Sequence, residues 1–394
     1  MTYLPAEDIS VRLTQIIADE IRQQGGWIGF DTFMAMALYT PGLGYYANDS
    51  LKFGALPYST QDGKRVGGSD FVTAPEITPL FGQTLAAQVA QALQQTQTHE
   101  VWEFGAGTGA LALQLLDSLL AQGVALSRYT IVDLSGSLRA RQQHTLEKFG
   151  DLVHWVQALP DQMQGVVVGN EVLDAMPVKL LHRLQGVWHE RGVVLAEPGE
   201  SGEPDEPGEP GKGAPLKLVW QDRLTSWRAP IEPEGPHDYL TEIHPQGESF
   251  IRTLADKLTA GAAFFIDYGF PEHEYYHPQR SGGTVMCHQQ HQADPDPLQA
   301  VGRKDITAHV NFTGVALAAQ DAGLSVLGYT SQARFLINCG LAQRMESAPL
   351  ATRVKAQTLI MEHEMGELFK VVGLCCGEPW QALGFAQGDR THTL

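Results

Sequence analysis

The stretch Val-Trp-Glu-Phe-Gly-Ala-Gly-Thr-Gly-Ala, residues 101–110, decides how this chain of 394 residues is interpreted. Its first four residues are a short, mainly apolar run that predicts a buried strand, and an apolar helical pattern follows the glycines. Because Gly105, Gly107 and Gly109 lack side chains, the backbone can turn tightly there and approach a ligand closely. Together with Ala106 and Thr108, these glycines are predicted to form a loop that holds a cofactor.

The acidic residue Glu103 distinguishes two classes of cofactor for this loop. The same glycines also satisfy the dinucleotide pattern of nicotinamide enzymes, so the glycines alone leave the cofactor open. A carboxylate two residues before Gly105 would repel a pyrophosphate and attract the ammonium and sulfonium groups of S-adenosyl-L-methionine. We therefore expect S-adenosyl-L-methionine, and a nicotinamide-dependent oxidoreductase is the less favoured alternative.

Strand and helix patterns alternate from residue 99 onward, which is typical of crossover units on a parallel sheet. The prediction is an α/β, Rossmann-like fold with a seven-stranded, mostly parallel sheet. The predicted strands are Val101–Phe104, Tyr129–Leu134, Val153–Val156, Val166–Val168, Ala262–Ile266, Ser325–Leu327 and Phe369–Cys375.

The domain prediction divides the chain at residue 98. Residues 1–98 are expected to form a helical and loop region that closes over the cofactor, and residues 99–394 the sheet domain. Two insertions are predicted in the sheet domain, 178–225 and 270–312, the second acting as a substrate cap. Within the first, residues 197–213 are mostly Glu, Pro and Gly, a composition that cannot bury a core and predicts a flexible acidic loop.

Further candidate cofactor contacts follow the other predicted strands, because ligands gather at the carboxyl ends of parallel strands. Asp133 ends the second strand, where a carboxylate can accept hydrogen bonds from both ribose hydroxyls, although it can also cap the next helix. The other candidates at these strand ends are Leu134, Gln157, Ala158, Asn170 and Glu171.

The overall charge and composition narrow the range of partners. A formal net charge of −18 disfavours nucleic acid as a partner, because nucleic acid requires clustered Lys and Arg, and is compatible with a basic partner.

No apolar run approaches the roughly 18 residues of a membrane span, and the N-terminus carries no targeting pattern, so we expect a cytoplasmic protein. Four cysteines do not form a disulfide framework. The spacing around Cys287 and His288 is only loosely zinc-like, so no metal is expected.

Five segments carry a resemblance to a known family: residues 70–82, 103–109, 170–178, 266–270 and 302–312. They resemble the MidA-type methyltransferases, a family that includes a mitochondrial complex I assembly factor with protein-arginine methyltransferase activity. The resemblance implies a class I methyltransferase fold that uses S-adenosyl-L-methionine, with an added N-terminal helical region and a cap. It also implies that the segment 70–82 belongs to the site, so that Thr73, Glu76 and Thr78 contact the methionine end of the cofactor; Thr78 can alternatively cap a helix.

The predicted chemistry is methyl transfer to a protein side chain, with arginine suspected from the resemblance and from the acidic charge. A guanidinium acceptor requires carboxylates that orient it, and Glu171 and Asp174 lie three residues apart after the fourth strand. Asp267 and Asp305 are held in reserve, and His309 either relays a proton or orders the cap. A protein that binds the cofactor and acts as an assembly factor without methyl transfer is the alternative function. The oligomeric state is left open.

Overall fold

The computed structural model describes residues 6–48, 59–61, 64–66, 73–133, 136–197, 216–289 and 292–394. The chain forms two compact units, each assembled from three segments. The first unit contains Met1–Ser50, Pro177–Pro245 and Tyr276–Ala308, and the second contains Leu51–Met176, Gln246–Tyr275 and His309–Leu394. The division therefore differs from the predicted boundary at residue 98, because the N-terminal helices group with most of both predicted insertions.

The second unit is built on an eight-stranded sheet that lies at the centre of its core. The strands are β1 Glu100–Phe104, β2 Arg128–Val132, β3 Val153–Val156, β4 Met163–Asn170, β5 Leu258–Phe270, β6 Val310–Asn311, β7 Leu324–Ser331 and β8 Phe369–Cys376. Seven strands form a continuous path in the order β7-β8-β5-β4-β1-β2-β3, and β6 pairs with β5 beside that path. Neighbours are parallel except β8, which is antiparallel to both β5 and β7.

All seven predicted strands are present, and the eighth strand corrects the prediction of a seven-stranded sheet. The additional strand is β6, whose two residues pair in parallel with Gly269 and Phe270 at the end of β5. Two residues are too short to produce an alternating pattern, and they fall within residues 270–312, which were predicted to be a cap. The sequence therefore contained no periodic signal for this strand.

Side chains alternate between the two faces of the sheet, as the period of two in a strand requires. Val101, Val166 and Val168 belong to the apolar cluster on one face, with side chains from helix Leu80–Thr96. Trp102 and Val167 belong to the cluster on the other face. Because both faces are covered, the central strands are apolar along most of their length.

The helices of the second unit precede, connect or follow these strands along the chain. A two-stranded hairpin, Ser59–Gln61 with Lys64–Val66, also belongs to this unit. The α-helices are Ala74–Ile77, Leu80–Thr96, Ala110–Ala121, Gly136–Thr145, Pro245–Lys257, Glu272–Tyr275, Phe312–Asp321, Gln332–Asn338, Leu341–Ser347 and Leu350–Thr358, with 3₁₀ turns at Glu147–Leu152, Leu383–Phe385 and Thr391–Thr393 and a π turn at Glu362–Gly366.

The first unit contains two helices and two small sheets. Helices Ala6–Gln23 and Phe30–Tyr39 contact the longest strand of a five-stranded antiparallel sheet. Its strands are Ile28–Gly29, Lys179–Leu184, Val187–Leu195, Leu218–Leu224 and Tyr239–Ile243, and a second sheet contains Met286–Gln289, Gln292–Asp294 and Asp305–Thr307. The acidic stretch predicted at 197–213 lies outside the described residues except for Glu197. None of the described helices combines the length and hydropathy that a membrane span requires.

Candidate functional site

The glycine-rich turn lies between the end of β1 and helix Ala110–Ala121. Gly105, Gly107 and Gly109 have φ values of +62°, +53° and +84°, a region that residues with a side chain rarely adopt. Gly109 directly precedes the helix. These glycines therefore permit a backbone conformation that other residues would resist, and the turn lies at the carboxyl edge of the sheet, where ligands of such folds bind.

Glu103 lies in β1 immediately before this turn and is almost completely buried. Tyr129 Oη on β2 donates a hydrogen bond of 2.6 Å to Glu103 Oε2. Burial raises the pKa of Glu103 to about 8, against a smaller lowering by the tyrosine hydroxyl. The carboxyl is therefore a buried acid whose ionised form a nearby cation would stabilise.

The segment before β1 contacts the turn through Glu76. Thr108 Oγ1 donates a short hydrogen bond to Glu76 Oε1, so helix Ala74–Ile77 is attached to the glycine-rich turn. Thr73 is the residue before that helix. Thr78 Oγ1 accepts a hydrogen bond of 3.4 Å from the backbone amide of Leu80, the first residue of the next helix. Glu76 thus contacts the glycine-rich turn, and the described hydrogen bond of Thr78 is to the start of helix Leu80–Thr96.

Asp133 follows β2 and is held by a residue that the sequence did not indicate, Gln142. Gln142 Nε2 donates to Asp133 Oδ2 at 2.7 Å and to the Gly107 carbonyl at 3.0 Å. Gln142 belongs to helix Gly136–Thr145, whose mean hydropathy is low, and nothing in its sequence separates this glutamine from a solvent-facing one. Among the other candidates, Gln157 and Ala158 are exposed after β3, and Leu134 lies outside the described residues.

The chain after β4 makes a tight, ordered turn at Glu171. Asn170 Nδ2 donates to Glu171 Oε1 at 3.0 Å, and Glu171 has φ +54°. Asp267 Oδ2 on β5 accepts hydrogen bonds from the three successive backbone amides of residues 172–174, at 2.9–3.2 Å. Through these hydrogen bonds, Asp267 holds the backbone of the turn in place.

Asp174 is buried at the end of the same turn. Tyr268 Oη donates to Asp174 Oδ2 at 2.5 Å, while Asp174 Oδ1 has no hydrogen-bond partner among the described residues. Burial raises the pKa of Asp174 to about 6. Burial first, and then the neighbouring carboxyls of Asp174 and Glu171, raise the pKa of Asp267. Asp174 and Glu171 thus lie close enough to disfavour the charge of Asp267, an arrangement that favours a cationic ligand.

The two remaining catalytic candidates lie in different units. The His309 ring stacks on Phe270 with centroids 5.2 Å apart and meets Tyr268 edge-on at 5.1 Å, so it belongs to an aromatic cluster beside Asp174. Asp305 lies in the first unit, where Tyr46 Oη donates to its Oδ1 at 2.8 Å.

The comparison with protein families matches residues 84–330, which include the glycine-rich turn, Asp133 and the acidic turn after β4. The matching family is described as "Putative S-adenosyl-L-methionine-dependent methyltransferase". The chain belongs to this family. The cofactor of this methyltransferase is accordingly S-adenosyl-L-methionine, and the nicotinamide alternative is set aside.

Solved structures agree with this assignment. A protein from Burkholderia thailandensis, crystallised with S-adenosyl-homocysteine, is 45% identical, with a TM-score of 0.88 and coverage of 100% of both chains. A second, native structure from the same organism is 44% identical, with a TM-score of 0.85 and the same coverage. The first of these relatives therefore binds the demethylated form of the expected cofactor.

Curated relatives are more distant and carry a more detailed name. "Protein arginine methyltransferase NDUFAF7 homolog, mitochondrial" from Caenorhabditis elegans is 25% identical over 84% of this chain and 77% of its own length. The human protein of that name is 26% identical over 87% and 76%. These names overturn the prediction of a cytoplasmic protein, because the relatives are named as mitochondrial. The lack of a targeting pattern was insufficient evidence for a compartment.

Proposed function

We propose that this methyltransferase modifies the guanidinium group of an arginine side chain in a protein, with Glu171 and Asp174 orienting that group. The observation that supports the proposal most directly is the unpartnered Asp174 Oδ1, because a buried carboxyl oxygen without a hydrogen-bond donor is energetically costly. A guanidinium offers five N–H donors in a plane and would supply the missing bond. The names of the distant curated relatives point the same way.

The charge balance of the acidic turn also supports a cationic acceptor. Burial raises the pKa of Asp174, and burial together with the neighbouring carboxyls of Asp174 and Glu171 raises the pKa of Asp267, so both carboxyls hold protons more tightly than ordinary aspartates. A guanidinium would reverse this effect, since an opposite charge within a few ångströms favours the ionised carboxylate. Arginine is preferred to lysine here, because two carboxylates three residues apart suit a planar, bidentate partner.

Asp267 and Tyr268 act in this proposal as positioning residues. Asp267 fixes the amides of the turn that carries Glu171 and Asp174, and Tyr268 holds the other oxygen of Asp174 by its hydroxyl. Such support matters, because methyl transfer depends on the alignment of donor and acceptor. We keep His309 in its expected role of relaying a proton or ordering the cap, and Asp305 in reserve.

The cofactor is proposed to bind along the carboxyl edge of β1–β4. When bound, S-adenosyl-L-methionine supplies a methyl group already activated by its sulfonium. Glu103 and Glu76 would hold its positively charged methionine end beside the glycine-rich turn of Gly105–Gly109, and Asp133 would accept from the ribose hydroxyls. Thr73, Thr78, Leu134, Gln157, Ala158 and Asn170 complete the proposed set of contacts.

Once the guanidinium nitrogen has gained a methyl group, it must lose one proton. Asp174 can accept that proton at Oδ1, because this buried oxygen has no other hydrogen-bond partner among the described residues and the carboxyl is ionised beside a guanidinium. Exclusion of water by the buried turn would strengthen the charge interactions that align the guanidinium.

The test is a labelling experiment in which the enzyme receives S-adenosyl-L-methionine with a radioactive methyl group. The methyl acceptors are proteins extracted from cells in which methylation is low. The labelled protein is then hydrolysed in acid, and the methylated amino acid is identified. We expect methylarginine from the wild type and at least a 100-fold lower yield from Asp174→Asn, with S-adenosylhomocysteine affinity changed by less than about threefold. The fully exposed Asp161 provides the matched control, Asp161→Asn.

Three outcomes would contradict the proposal. Methylation of another residue type would refute arginine as the acceptor, whereas cofactor binding without any methylated protein would favour an assembly factor that transfers no methyl group. Normal methylation by Asp174→Asn would refute the assignment of the acceptor site.

A further inference from the structure

Gln142 is a fully buried glutamine whose side-chain amide makes three hydrogen bonds. Its Nε2 donates to the Gly107 carbonyl at 3.0 Å and to Asp133 Oδ2 at 2.7 Å. Its Oε1 accepts from the indole Nε1 of Trp155 at 3.0 Å. Because an indole N–H can only donate, and a carbonyl and a carboxylate can only accept, these partners permit one orientation of the amide.

These three partners come from three neighbouring strands of the sheet. Gly107 belongs to the turn after β1, Asp133 follows β2, and Trp155 lies in β3. The same helix reaches the turn a second time, since Thr145 Oγ1 donates to the Thr108 carbonyl at 3.0 Å. One side chain therefore fixes the glycine-rich turn and the carboxylate of Asp133 relative to each other.

We infer that Gln142 is a positioning residue for the ribose of the cofactor: it holds Asp133 in the orientation that receives the ribose hydroxyls. This role depends on the contact between Asp133 and the ribose proposed above. A carboxylate whose orientation is fixed accepts two hydroxyls better than one that is free to rotate, and the hydrogen bond at Oδ2 contributes to fixing the carboxylate of Asp133. The anchored carboxylate then loses less conformational entropy when the ribose binds.

Gln114 provides a natural comparison in the same unit. It is also a buried glutamine with an oriented amide, and it donates to the Pro75 carbonyl at 2.7 Å and accepts from the Gly82 amide at 2.9 Å. Both partners of Gln114 are backbone groups of the segment before β1. Loss of its amide should therefore affect stability without affecting the ribose contact.

The experiment is calorimetric titration with S-adenosylhomocysteine and with its 2′-deoxy analogue, using wild type, Gln142→Met and Gln114→Met. Methionine matches glutamine in length and volume but donates no hydrogen bond. We expect the wild type to bind the 2′-deoxy analogue roughly tenfold more weakly than S-adenosylhomocysteine, because one hydrogen bond is lost. The ratio of these two affinities is the quantity compared between variants. In Gln142→Met this ratio should fall to about twofold or less, whereas Gln114→Met should keep the wild-type ratio.

The ratio of the two affinities separates a positioning role from a general destabilisation of the protein. General destabilisation would weaken the binding of both ligands equally and leave their ratio unchanged. An unchanged ratio in Gln142→Met would overturn the role of Gln142 while leaving the Asp133 contact intact. Equal affinities in the wild type would overturn the Asp133 contact itself, and with it this inference. Neither outcome depends on methyl transfer, so the arginine proposal stands or falls separately.

If Gln142→Met does not fold, Trp155→Phe tests the same point. This variant removes the indole N–H that fixes the amide orientation and keeps an aromatic ring in place. We expect the ratio to fall to between two- and fivefold, and an unchanged ratio would again count against the inference.

Discussion

At the scale of single residues, the most unusual group is the buried carboxyl of Glu103. Burial raises its pKa from 4.5 to about 8, so the folded protein binds this proton more tightly than the unfolded chain does. The resulting stabilisation is fully present below pH 4.5 and is lost as the pH rises through 8. The free energy of unfolding should therefore decrease with pH more steeply in the wild type than in Glu103→Gln.

Urea denaturation at pH 6 and pH 9 measures this difference. Since one pKa unit corresponds to 1.36 kcal/mol, we expect the wild type to lose about 2–3 kcal/mol more than Glu103→Gln over this range. The exposed Glu147 gives the control Glu147→Gln, which should follow the wild type. Parallel pH profiles for wild type and Glu103→Gln would show that the carboxyl is ionised throughout.

At the scale of elements, the turn after β4 depends on one side chain from β5. Asp267→Ala would leave three backbone amides of residues 172–174 without their acceptor, at a cost of about 1–3 kcal/mol for each one that stays buried. We therefore expect the free energy of unfolding to fall by about 3 kcal/mol or more, measured by urea denaturation.

Two further variants make this prediction specific. Asp267→Asn retains one carbonyl oxygen for the three amides and should lose less than half as much stability. Asp256, exposed on helix Pro245–Lys257, provides Asp256→Ala as a control without effect beyond about 0.5 kcal/mol. Equal stability of Asp267→Ala and wild type would mean that water replaces the carboxylate.

The sequence could predict those secondary-structure elements that have a periodic pattern, but not the shortest ones. The seven strands of the main path were predictable because each contains a short apolar run between turn residues, and the glycine-rich turn because three glycines follow one strand. β6 and Gln142 were not predictable, since a two-residue strand has no period and a buried glutamine on a polar helix looks like an exposed one. The site candidates Asp133 and Asp174 were found from their positions after strands.

At the scale of the whole molecule, a ligand that binds only the folded state should raise global stability. S-adenosylhomocysteine at 100 times its dissociation constant should raise the free energy of unfolding by about 2.7 kcal/mol, whereas NADH at the same concentration should have no effect. The measurement is urea denaturation with and without each ligand. A stabilisation by NADH alone would contradict the cofactor assignment.

The variant Gly107→Ala should abolish most of this ligand effect, because a methyl group at φ +53° strains the turn that is proposed to contact the cofactor. Gly123→Ala is the matched control, since Gly123 also has a positive φ, of +73°, but its added methyl group meets no described atom within 4 Å. Both variants should lose about 1–2 kcal/mol without ligand. Only Gly123→Ala should regain the full stabilisation with S-adenosylhomocysteine.

The division of the chain at this scale could not be read from sequence, because it depends on contacts between distant segments. No local signal indicates that strand Val187–Leu195, which lies in the first predicted insertion, packs with the N-terminal helices. The first unit is therefore a property of tertiary packing, while the sheet of the second unit follows from local periodicity.

The segmented first unit has a consequence for how the protein is made. Ile28 pairs with Val193, so the N-terminal helices emerge from the ribosome long before the strand that they pack against has been synthesised. At about 5–20 residues per second, this wait lasts on the order of 10–30 s. During that time the apolar side chains of Leu13, Ile17 and Ile21, all buried in the finished protein, have no partner strand. During synthesis the nascent chain therefore exposes an apolar helix face, a surface that we expect chaperones to shield until strand Val187–Leu195 has been made.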